Sequence, residues 1–436
     1  MKCLGGLLSV ATPGRVSLPL MVLTCLAVVG CSPATEPEGD RLESQHGSGD
    51  PGGSGSGGNS GGAGTGAGTG GHGPVTESSV GIVVIDVQEL FVDGAANADM
   101  AGIIDRTKSA FQLAEDHDVP FFVTFEDSQQ GDHALHAPLQ PVLPGHARDF
   151  IKTTYGATGL PSFFDAVNQS GLSHLVVLGA ETDVCVLQTV LGLRKMGFTV
   201  MLQQDAVFTE ETNTSPTLRR MQQAGTLLVD LTDVAGYVAK PSELPQGGDH
   251  AVRIVEPMHM GVVLNGFTDA ALADADDPLT TQKSARLREL LLVSEWFDLP
   301  VYVADVGAGL PAAFASYFEG QLRPISQIAQ DSSVEQLVFA GTDGGLADSM
   351  SAWMSSRQLF VMEDALLARG TPAAQKELLA PFFEGGLVPT TYKSFYYDMT
   401  QSVDLAEWPS QQWVQKFDEY YPITQAPEDL PPIPGG

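Results

Sequence analysis

The sequence is poor in basic residues. It holds 22 lysines and arginines against 53 aspartates and glutamates, which gives a formal net charge of −31. Phosphate backbones are bound by clustered lysine and arginine side chains, so this balance excludes nucleic acid as a partner. A surface of this charge also repels anionic lipids. Any attachment to a membrane must therefore come from a separate feature of the chain.

The apolar run at the N-terminus is too short for a membrane-spanning helix. It covers residues 18–30, after Lys2 and Arg15, whereas a spanning helix needs about 20 apolar residues. Its end, Leu26-Ala27-Val28-Val29-Gly30-Cys31, resembles a bacterial lipobox. The resemblance implies a signal peptide over residues 1–30 and a lipid on Cys31, with the chain held in the bacterial cell envelope at the outer membrane or periplasmic face. An ordinary secretory signal with an unrelated cysteine is the alternative.

Cysteine is scarce as well. The four cysteines are Cys3, Cys25, Cys31 and Cys185. Cleavage before Cys31 would remove the first two and lipidate the third, which leaves Cys185 as the free thiol of the mature chain. Exported proteins usually pair their cysteines. A thiol without a partner is either buried and inert or chemically useful, and its surroundings decide which.

Composition divides the remaining chain into a tether, a structured region and a tail. Residues 31–78 are dominated by glycine, serine and threonine, which predicts a flexible tether that buries no core. Residues 401–436 form a C-terminal extension that ends in a proline-rich tail. We assign no chemistry to either segment.

Strand and helix patterns alternate between these two segments. Residues 81–85 form a continuously apolar strand, as expected when both faces of a sheet are covered. The helix 106–117, the strands 120–125 and 174–178, the helix 184–196 and the strand 199–202 follow in order. This βαβ alternation predicts an α/β fold with a doubly wound, mostly parallel sheet.

The same pattern then occurs a second time. The corresponding segments are 106–123 with 286–303, 174–179 with 336–341, and the helix starts Ser215-Pro216 with Thr371-Pro372. Such a repeat predicts two tandem domains, at 79–240 and 251–400. Chance similarity between two α/β units is the alternative.

An acid, an amine and a thiol stand in strand-end contexts of the first copy. Asp86 ends the first strand, Cys185 closes the turn before the helix 184–196, and Lys152 lies between them in sequence. Ligands of an open parallel sheet bind beyond the carboxyl ends of its strands. A cation and a helix N-terminus lower the pKa of a nearby thiol, and a carboxylate accepts its proton. The backbone N–H groups around Glu181 and Cys185 are suited to holding an oxyanion.

These motifs resemble those of the isochorismatase-like cysteine hydrolases, which include nicotinamidases and N-carbamoylsarcosine and ureidoacrylate amidohydrolases. The resemblance covers about residues 79–235 and rests on Asp86-x-Gln88, Lys152 followed by an aromatic residue, and Gly179-x-x-Thr182-Asp183-x-Cys185-Val186. It implies a triad of Asp86, Lys152 and Cys185 and a cis peptide bond between Ala180 and Glu181 that aims the oxyanion-hole amides. It also implies a substrate pocket that includes Gln88, Phe91 and Tyr155.

The chain departs from the nicotinamidases of that family at their metal motif. They carry Asp-x-His after the second strand, and this chain reads Asp127-Ser128-Gln129. The departure argues against nicotinamide as the substrate, and we expect neither a metal nor a cofactor. Three histidines nearby in sequence leave a metal open as the alternative: His133, His136 and His146.

The second copy departs further. Aligned on Gly341, it has Ala347 in place of Cys185, Glu256 in place of Asp86, and no counterpart of Lys152. We therefore expect a degenerate domain that packs on the first copy within the chain, as one subunit packs on another in a dimer.

The preferred function is hydrolysis of an amide or related C–N bond of a small molecule through a thioester at Cys185. Three alternatives remain open. The first is a non-catalytic lipoprotein that binds a small ligand or a partner, the second is vinyl-ether hydrolysis of the isochorismatase type, and the third is redox sensing by the thiol.

Overall fold

The computed structural model describes residues 80–95, 99–127, 133–211, 213–248, 250–275, 277 and 279–400. The expected signal peptide, the lipidation site Cys31, the tether and the C-terminal extension lie outside these residues. Across the described ranges, no helix has the length and apolar character that crossing a membrane requires.

The first sheet contains six parallel strands in the order β3-β2-β1-β4-β5-β6. They are β1 (Val80–Ile85), β2 (Phe121–Glu126), β3 (Arg148–Lys152), β4 (His174–Ala180), β5 (Thr199–Phe208) and β6 (Leu227–Val229). β1 is buried along its whole length, because a central strand of a parallel sheet is covered on both faces. Strand β3, which carries Lys152, has no counterpart among the expected strands.

Helices cover both faces of this sheet. They are α1 (Glu89–Gly94), α2 (Met100–His117), α3 (Pro161–Asn168), α4 (Leu187–Lys195), α5 (Ser215–Gln223) and α6 (Leu231–Ala239). Successive side chains of β1 alternate between the faces, so Ile82 and Val84 pack with α2 and α6, whereas Val83 and Ile85 pack with α3 and α4.

The second sheet has the same strand order. Its parallel strands run β9-β8-β7-β10-β11-β12. They are β7 (Met260–Asn265), β8 (Val301–Val303), β9 (Leu322–Pro324), β10 (Gln336–Thr342), β11 (Gln358–Leu367) and β12 (Val388–Thr390). The helices of this unit are α7 (Asp269–Ala273), α8 (Thr280–Trp296), α9 (Leu346–Ser351), α10 (Pro372–Glu384) and α11 (Tyr392–Thr400).

Short tight turns of helix complete the structure. The 3₁₀ segments are Ala137–Val142, Ala157–Gly159, Pro241–Glu243, Pro257–His259, Val306–Ala308, Ala315–Tyr317 and Ile325–Ala329. A π-helical turn covers Thr182–Val186. The expected helix 184–196 is therefore two elements, the end of this turn and α4.

The two sheets also share an irregularity of register. Pairing shifts between Val177 and Gly179 where β4 meets β5, and between Phe339 and Gly341 where β10 meets β11. Both glycines have positive φ, at 116° and 105°. A Cβ at either position would collide with the backbone of the central strand of its sheet, so glycine is required at both. The predicted α/β class with two tandem, doubly wound parallel sheets is confirmed, while the domain boundaries stay predictions.

Sheet register corrects one expectation about the second unit. Ile85 pairs with Gly179, and Asn265 pairs with Gly341, so the residue that follows Asn265, Gly266, stands where Asp86 stands in the first unit. The prediction that Glu256 takes this place is wrong, because Glu256 precedes β7.

Candidate active site

Four chemically active side chains stand at the carboxyl ends of four neighbouring strands. Asp86 follows β1, Glu126 ends β2, Lys152 ends β3, and Cys185 lies in the π-helical turn that follows β4 by one residue. Since β3, β2, β1 and β4 are adjacent and parallel, their carboxyl ends bring these residues to one edge of the sheet.

The acid, the amine and the thiol expected from the sequence meet at this edge. Lys152 Nζ lies 2.6 Å from Asp86 Oδ2 and donates to Cys185 Sγ at 3.4 Å. Asp86 and Lys152 are fully buried and Cys185 is 1% exposed. The ammonium group therefore links the carboxylate to the sulfur in a site without bulk water around it.

Asp86 is held in an unusual backbone conformation. Its φ is +46°, a left-handed value that is uncommon outside glycine and more frequent for aspartate than for most residues. Thr124 fixes it from the neighbouring strand, since Thr124 Oγ1 donates to Asp86 Oδ1 at 2.8 Å and the backbone N–H of Asp86 donates to the Thr124 carbonyl oxygen at 3.2 Å. The remaining carboxylate oxygen faces Lys152.

Glu126 is a site residue that is not among those predicted from the sequence. Cys185 Sγ donates to Glu126 Oε2 at 3.6 Å, and Lys152 Nζ lies 3.7 Å from the same oxygen. Gln88, which was expected in the pocket, is buried and holds the backbone of Glu126. Gln88 Oε1 accepts from the Glu126 N–H at 2.8 Å, and Gln88 Nε2 donates to the Glu126 carbonyl oxygen at 3.2 Å. The position of Glu126 as the last residue of a buried strand was the signal that could have revealed it.

Burial decides the protonation state of the thiol. Burial raises the pKa of Cys185; Lys152 lowers it, and Asp86 and Glu126 raise it, so that the net pKa lies well above the ordinary thiol value. From a cation and a helix N-terminus near the thiol, the sequence predicts a lowered pKa for Cys185. The effect of Lys152 has the expected sign, but burial and the neighbouring carboxylates outweigh it.

The amine and the second carboxylate shift as well. Burial alone would lower the pKa of Lys152, but Asp86, Cys185 and Glu126 raise it above its usual value. Burial raises the pKa of Glu126, which Lys152 lowers and Asp86 raises, and the net direction is upward. The resting site thus contains a thiol and an ammonium group, beside a Glu126 carboxyl group whose pKa is raised.

The turn that presents Cys185 is tightly bonded to itself. The peptide bond between Ala180 and Glu181 is cis. The N–H groups of Val184 and Val186 both donate to the Glu181 carbonyl oxygen at 3.1 Å, which closes the π-helical turn. Such turns are rare and are often found at functional sites.

The two expected aromatic pocket residues have different surroundings. Tyr155 is buried in the same apolar cluster as Cys185, and its ring lies 4.7 Å from that of Tyr397 in an edge-to-face arrangement. Phe91 is half-buried and packs against the cluster on the opposite face of the sheet. The structure therefore places Tyr155, and not Phe91, on the side of the sulfur.

The three histidines near β2 bond to separate partners. His133 Nε2 contacts Asp127 at 2.7 Å, His136 Nδ1 contacts Glu89 at 2.6 Å, and His146 Nε2 donates to the Val119 carbonyl oxygen at 2.7 Å. Among the described residues, the group of side chains close enough to hold a cation does not include them.

Of the described residues, one group has carboxylate and thiol atoms close enough for a cation: Asp86, Glu126 and Cys185, within 4.8 Å of one another. Lys152 Nζ contacts all three side chains, so its ammonium group already supplies the positive charge at this place.

The sulfur is covered in this conformation. Two surface pockets found in the part of the chain that the structure describes, of about 650 and 480 Å³, are lined by residues of the second unit such as Arg323 and Arg357. Neither includes Asp86, Lys152 or Cys185. Glu126 is the most exposed of the four site residues, with 21% of its side chain accessible. Because Cys185 is 1% exposed, a small molecule reaches its sulfur only after neighbouring side chains move.

The second unit has different residues at the equivalent points. Ala347 in α9 stands where Cys185 stands, and Gly266 replaces Asp86. Arg323 pairs with β8 in the same way that Arg148 pairs with β2, so these two arginines correspond. Strand β3 continues from Arg148 to Lys152, whereas β9 ends at Pro324 and does not reach the position that corresponds to Lys152. The thiol, the amine and the carboxylate are all replaced.

Comparison with known proteins finds similarity in the first unit. Residues 80–233 match the family model of the isochorismatase domain. The chain is 29% identical over 147 residues to a streptothricin hydrolase of Streptomyces noursei, covering 31% of this chain and 51% of that protein. It thus spans about half the length of that relative. It is 24% identical over 159 residues to isochorismatase family protein 1B of Dictyostelium discoideum, covering 36% and 76% of the two chains.

Solved structures with some similarity include the YcaC gene product of Escherichia coli, titled an octameric hydrolase of unknown specificity. It has 23% identity and a TM-score of 0.34, with 36% of this chain and 78% of that chain covered. A pyrazinamidase/nicotinamidase from Streptococcus mutans has 17% identity and a TM-score of 0.31, with 35% and 100% covered.

Proposed function

We propose that this protein hydrolyses an amide or related C–N bond of a small molecule through a thioester at Cys185. One observation carries the proposal. The Lys152 ammonium contacts both the Asp86 carboxylate, at 2.6 Å, and the Cys185 sulfur, at 3.4 Å, at the ligand-binding edge of a parallel sheet. The match of residues 80–233 to the isochorismatase domain model and the similarity to a streptothricin hydrolase support hydrolysis of a small molecule.

In the first step, Cys185 Sγ attacks the carbonyl carbon of the substrate, and the thiol proton passes to Asp86. Because the pKa of the thiol is raised, little thiolate exists beforehand, and attack is coupled to this transfer. The C–N bond then breaks, the nitrogen leaves with the proton from Asp86, and a thioester remains. Lys152 stabilises negative charge on sulfur as it develops.

In the second step, water attacks the thioester carbon while Asp86 accepts its proton. The C–S bond breaks, the carboxylic acid product leaves, and the proton returns to the sulfur. We assign the oxyanion in both steps to backbone N–H groups of the turn from Glu181 to Cys185. Such donors each contribute about 3 kcal/mol to transition-state stabilisation.

The burial of Cys185 favours a second candidate, a protein that binds a small ligand or a partner without catalysis. A fully covered cysteine with a raised pKa is the usual state of an inert core thiol. The contact of its sulfur with a buried ammonium group argues for the first candidate, because an inert thiol needs no cation beside it.

A substrate screen separates the two candidates. The full chain is incubated with small amides, ureas and carbamoyl compounds, with Cys185→Ala as the control, and release of amine or ammonia is measured. We expect hydrolysis of at least one class by the wild type, none by Cys185→Ala, and a mass increase on Cys185 after acid quench. Equal hydrolysis by Cys185→Ala would disprove the thioester. No hydrolysis, together with alkylation of Cys185 that is indifferent to Lys152, would favour the binding protein.

We further propose that residues 1–30 are a signal peptide, that Cys31 carries the lipid, and that the second unit is a degenerate copy without its own catalysis. Ala347 and Gly266 at the equivalent positions support the last point.

A further inference from the structure

Helix α11 of the second unit lies against the active-site segments of the first. Its C-terminal half contacts the segment after Lys152, where the Tyr397 ring packs on Tyr155, and the Tyr397 carbonyl oxygen accepts from Gln188 Nε2 at 2.9 Å. Its N-terminal half contacts the turn that presents Cys185, where Ser394 Oγ donates to the Asp183 carbonyl oxygen at 3.0 Å. One helix thus touches both segments that hold the thiol and the amine.

Lys393 makes the charged contacts of this helix. Its Nζ lies 2.9 Å from Glu181 Oε1, 2.9 Å from Glu210 Oε1 and 3.9 Å from Asp183 Oδ1. Only 6% of the lysine side chain is exposed. A buried ammonium group is stable only when it is paired, so the carboxylates of the turn fix the position of Lys393. Lys393 in return holds the Glu181 carboxylate at 2.9 Å, while the Asp183 carboxylate also accepts from Thr209 Oγ1 at 2.6 Å.

The carboxylates depend on this lysine in return. Burial raises the pKa of Glu181 to about 7, although Lys393 lowers it. Without the cation, Glu181 and Asp183 would stand buried beside each other and beside Glu210. Neighbouring negative charges repel strongly in a site of low dielectric. The turn would therefore have to move, or its carboxylates would have to take up protons.

The first unit lacks this arrangement at the corresponding helix. Helix α6 begins two residues after β6, as α11 begins two residues after β12. The residue that matches Lys393 is Thr232, which is exposed. The lysine is therefore a feature of the second unit alone, on the helix that reaches the catalytic turn of the other unit.

We propose that Lys393 is a positioning residue for the catalytic thiol, contributed by the second unit, which holds the turn 181–185 so that Cys185 faces Lys152. This inference rests on the proposed function only in taking Cys185 as the nucleophile. It gives the second unit a role in the site even though it lacks the triad residues.

The test measures whether Lys152 still acts on Cys185 once Lys393 is gone. The full chain is treated with iodoacetamide across a range of pH, and the rate of alkylation is read by mass spectrometry on the peptide that contains Cys185. In the wild-type background, Lys152→Met removes the cation beside the sulfur and should slow alkylation about tenfold at a given pH. In the Lys393→Met background, the same change should alter the rate less than about twofold, because the sulfur no longer faces Lys152.

A matched control comes from another ion pair between the units. Arg219 pairs with Glu363 at 2.6 Å and does not contact the turn. In the Arg219→Met background the effect of Lys152→Met should remain about tenfold, and Lys393→Arg should restore the wild-type behaviour. A merely structural contribution of Lys393 to the interface would make the two backgrounds behave alike.

The outcomes separate this inference from the proposed function. If Lys152→Met still slows alkylation tenfold in the Lys393→Met background, the positioning role is disproved and the proposed hydrolase is unaffected. If Lys152→Met does not change the rate in the wild-type background, the proposed hydrolase is disproved. If Lys393→Met does not fold, Lys393→Gln, which removes the charge but keeps a polar side chain toward Glu181, is tested in the same cycle, and the same two results decide.

Discussion

The protonation of Cys185 depends on the charged side chains around it. Cys185 accepts a hydrogen bond from Lys152 and donates one to Glu126, so it stands between a group that favours the thiolate and one that opposes it. Asp86 holds the ammonium group in place from the other side. Burial and, after it, the balance of these charges set the pH at which the sulfur reacts.

Glu126→Gln tests the weight of the second carboxylate. The negative charge of Glu126 raises the pKa of Cys185, so the neutral amide should lower this pKa by about one unit. Alkylation of Cys185 by iodoacetamide should then be about tenfold faster at neutral pH, with its pH–rate profile displaced toward acid. The conservative Glu126→Asp variant keeps the charge and is the control. A profile displaced toward alkaline pH would show that Glu126 favours the thiolate.

At the scale of elements, helix α8 places the carboxyl group of Glu289 in the protein interior. Glu289 is fully buried, with Arg286 of the same helix 3.0 Å from its Oε2. Burial raises the pKa of Glu289 to about 7, although Arg286 lowers it. The folded state therefore binds the proton more tightly than the unfolded state does.

This shift fixes the sign of a pH dependence. A carboxyl group with a raised folded-state pKa contributes stability that is complete below its unfolded pKa of 4.5 and is lost as the pH rises to about 7. Glu289→Gln should remove this loss. The free energy of unfolding is measured by urea titration at pH 4.5 and at pH 7. The wild type should lose roughly 1–3 kcal/mol more than the variant between these two pH values. Glu377→Gln, at an exposed position of α10, should follow the wild type, and an identical slope for both variants would contradict the assignment.

Elements also show which parts of the molecule the sequence could predict. The strand β1 was predictable because burial on both faces leaves an unbroken apolar run. The strand β3 was not, because it lies at the sheet edge and three of its five residues are exposed. The π-helical turn escaped because it depends on hydrogen bonds to the Glu181 carbonyl oxygen, which no residue pattern encodes.

The active-site residues were predictable from the sequence only in part. Asp86 and Cys185 follow from residue type and strand ends, whereas Lys152 follows from the resemblance of its motif to that of the family. Glu126 could have followed from the same rule, but Lys393 could not. It comes from the other unit, more than two hundred residues along the chain from Glu181, and only tertiary structure brings the two together. Glu256 failed as a counterpart of Asp86 because sheet register, and not local resemblance, decides which residues correspond.

At the scale of the whole molecule, buried charge pairs join the two units. Arg220 of α5 lies 2.5 Å from Asp398 of α11, and both side chains are at least 97% buried. Removing one partner leaves the other buried without compensation, so Asp398→Ala should lower the free energy of unfolding by about 3–5 kcal/mol. Arg219→Met removes a more exposed pair between the same units and should cost about 1 kcal/mol or less. Equal losses in urea unfolding of the two variants would show that burial does not determine the contribution of these pairs.

The net charge of −31 argues against direct attachment of the protein surface to an anionic membrane. An acidic surface is repelled by anionic lipid, so retention at a membrane requires the acyl chains that we propose for Cys31. Each buried CH₂ of such a chain contributes about 0.8 kcal/mol, and more than one chain is needed for stable anchoring. When the full chain is produced in a bacterium, the wild type should sediment with membranes and Cys31→Ser should remain in the supernatant, as followed by immunoblot. Cys185→Ser is the matched control and should sediment like the wild type, because its thiol lies inside the fold. Sedimentation of Cys31→Ser with membranes would show that another part of the chain makes the attachment.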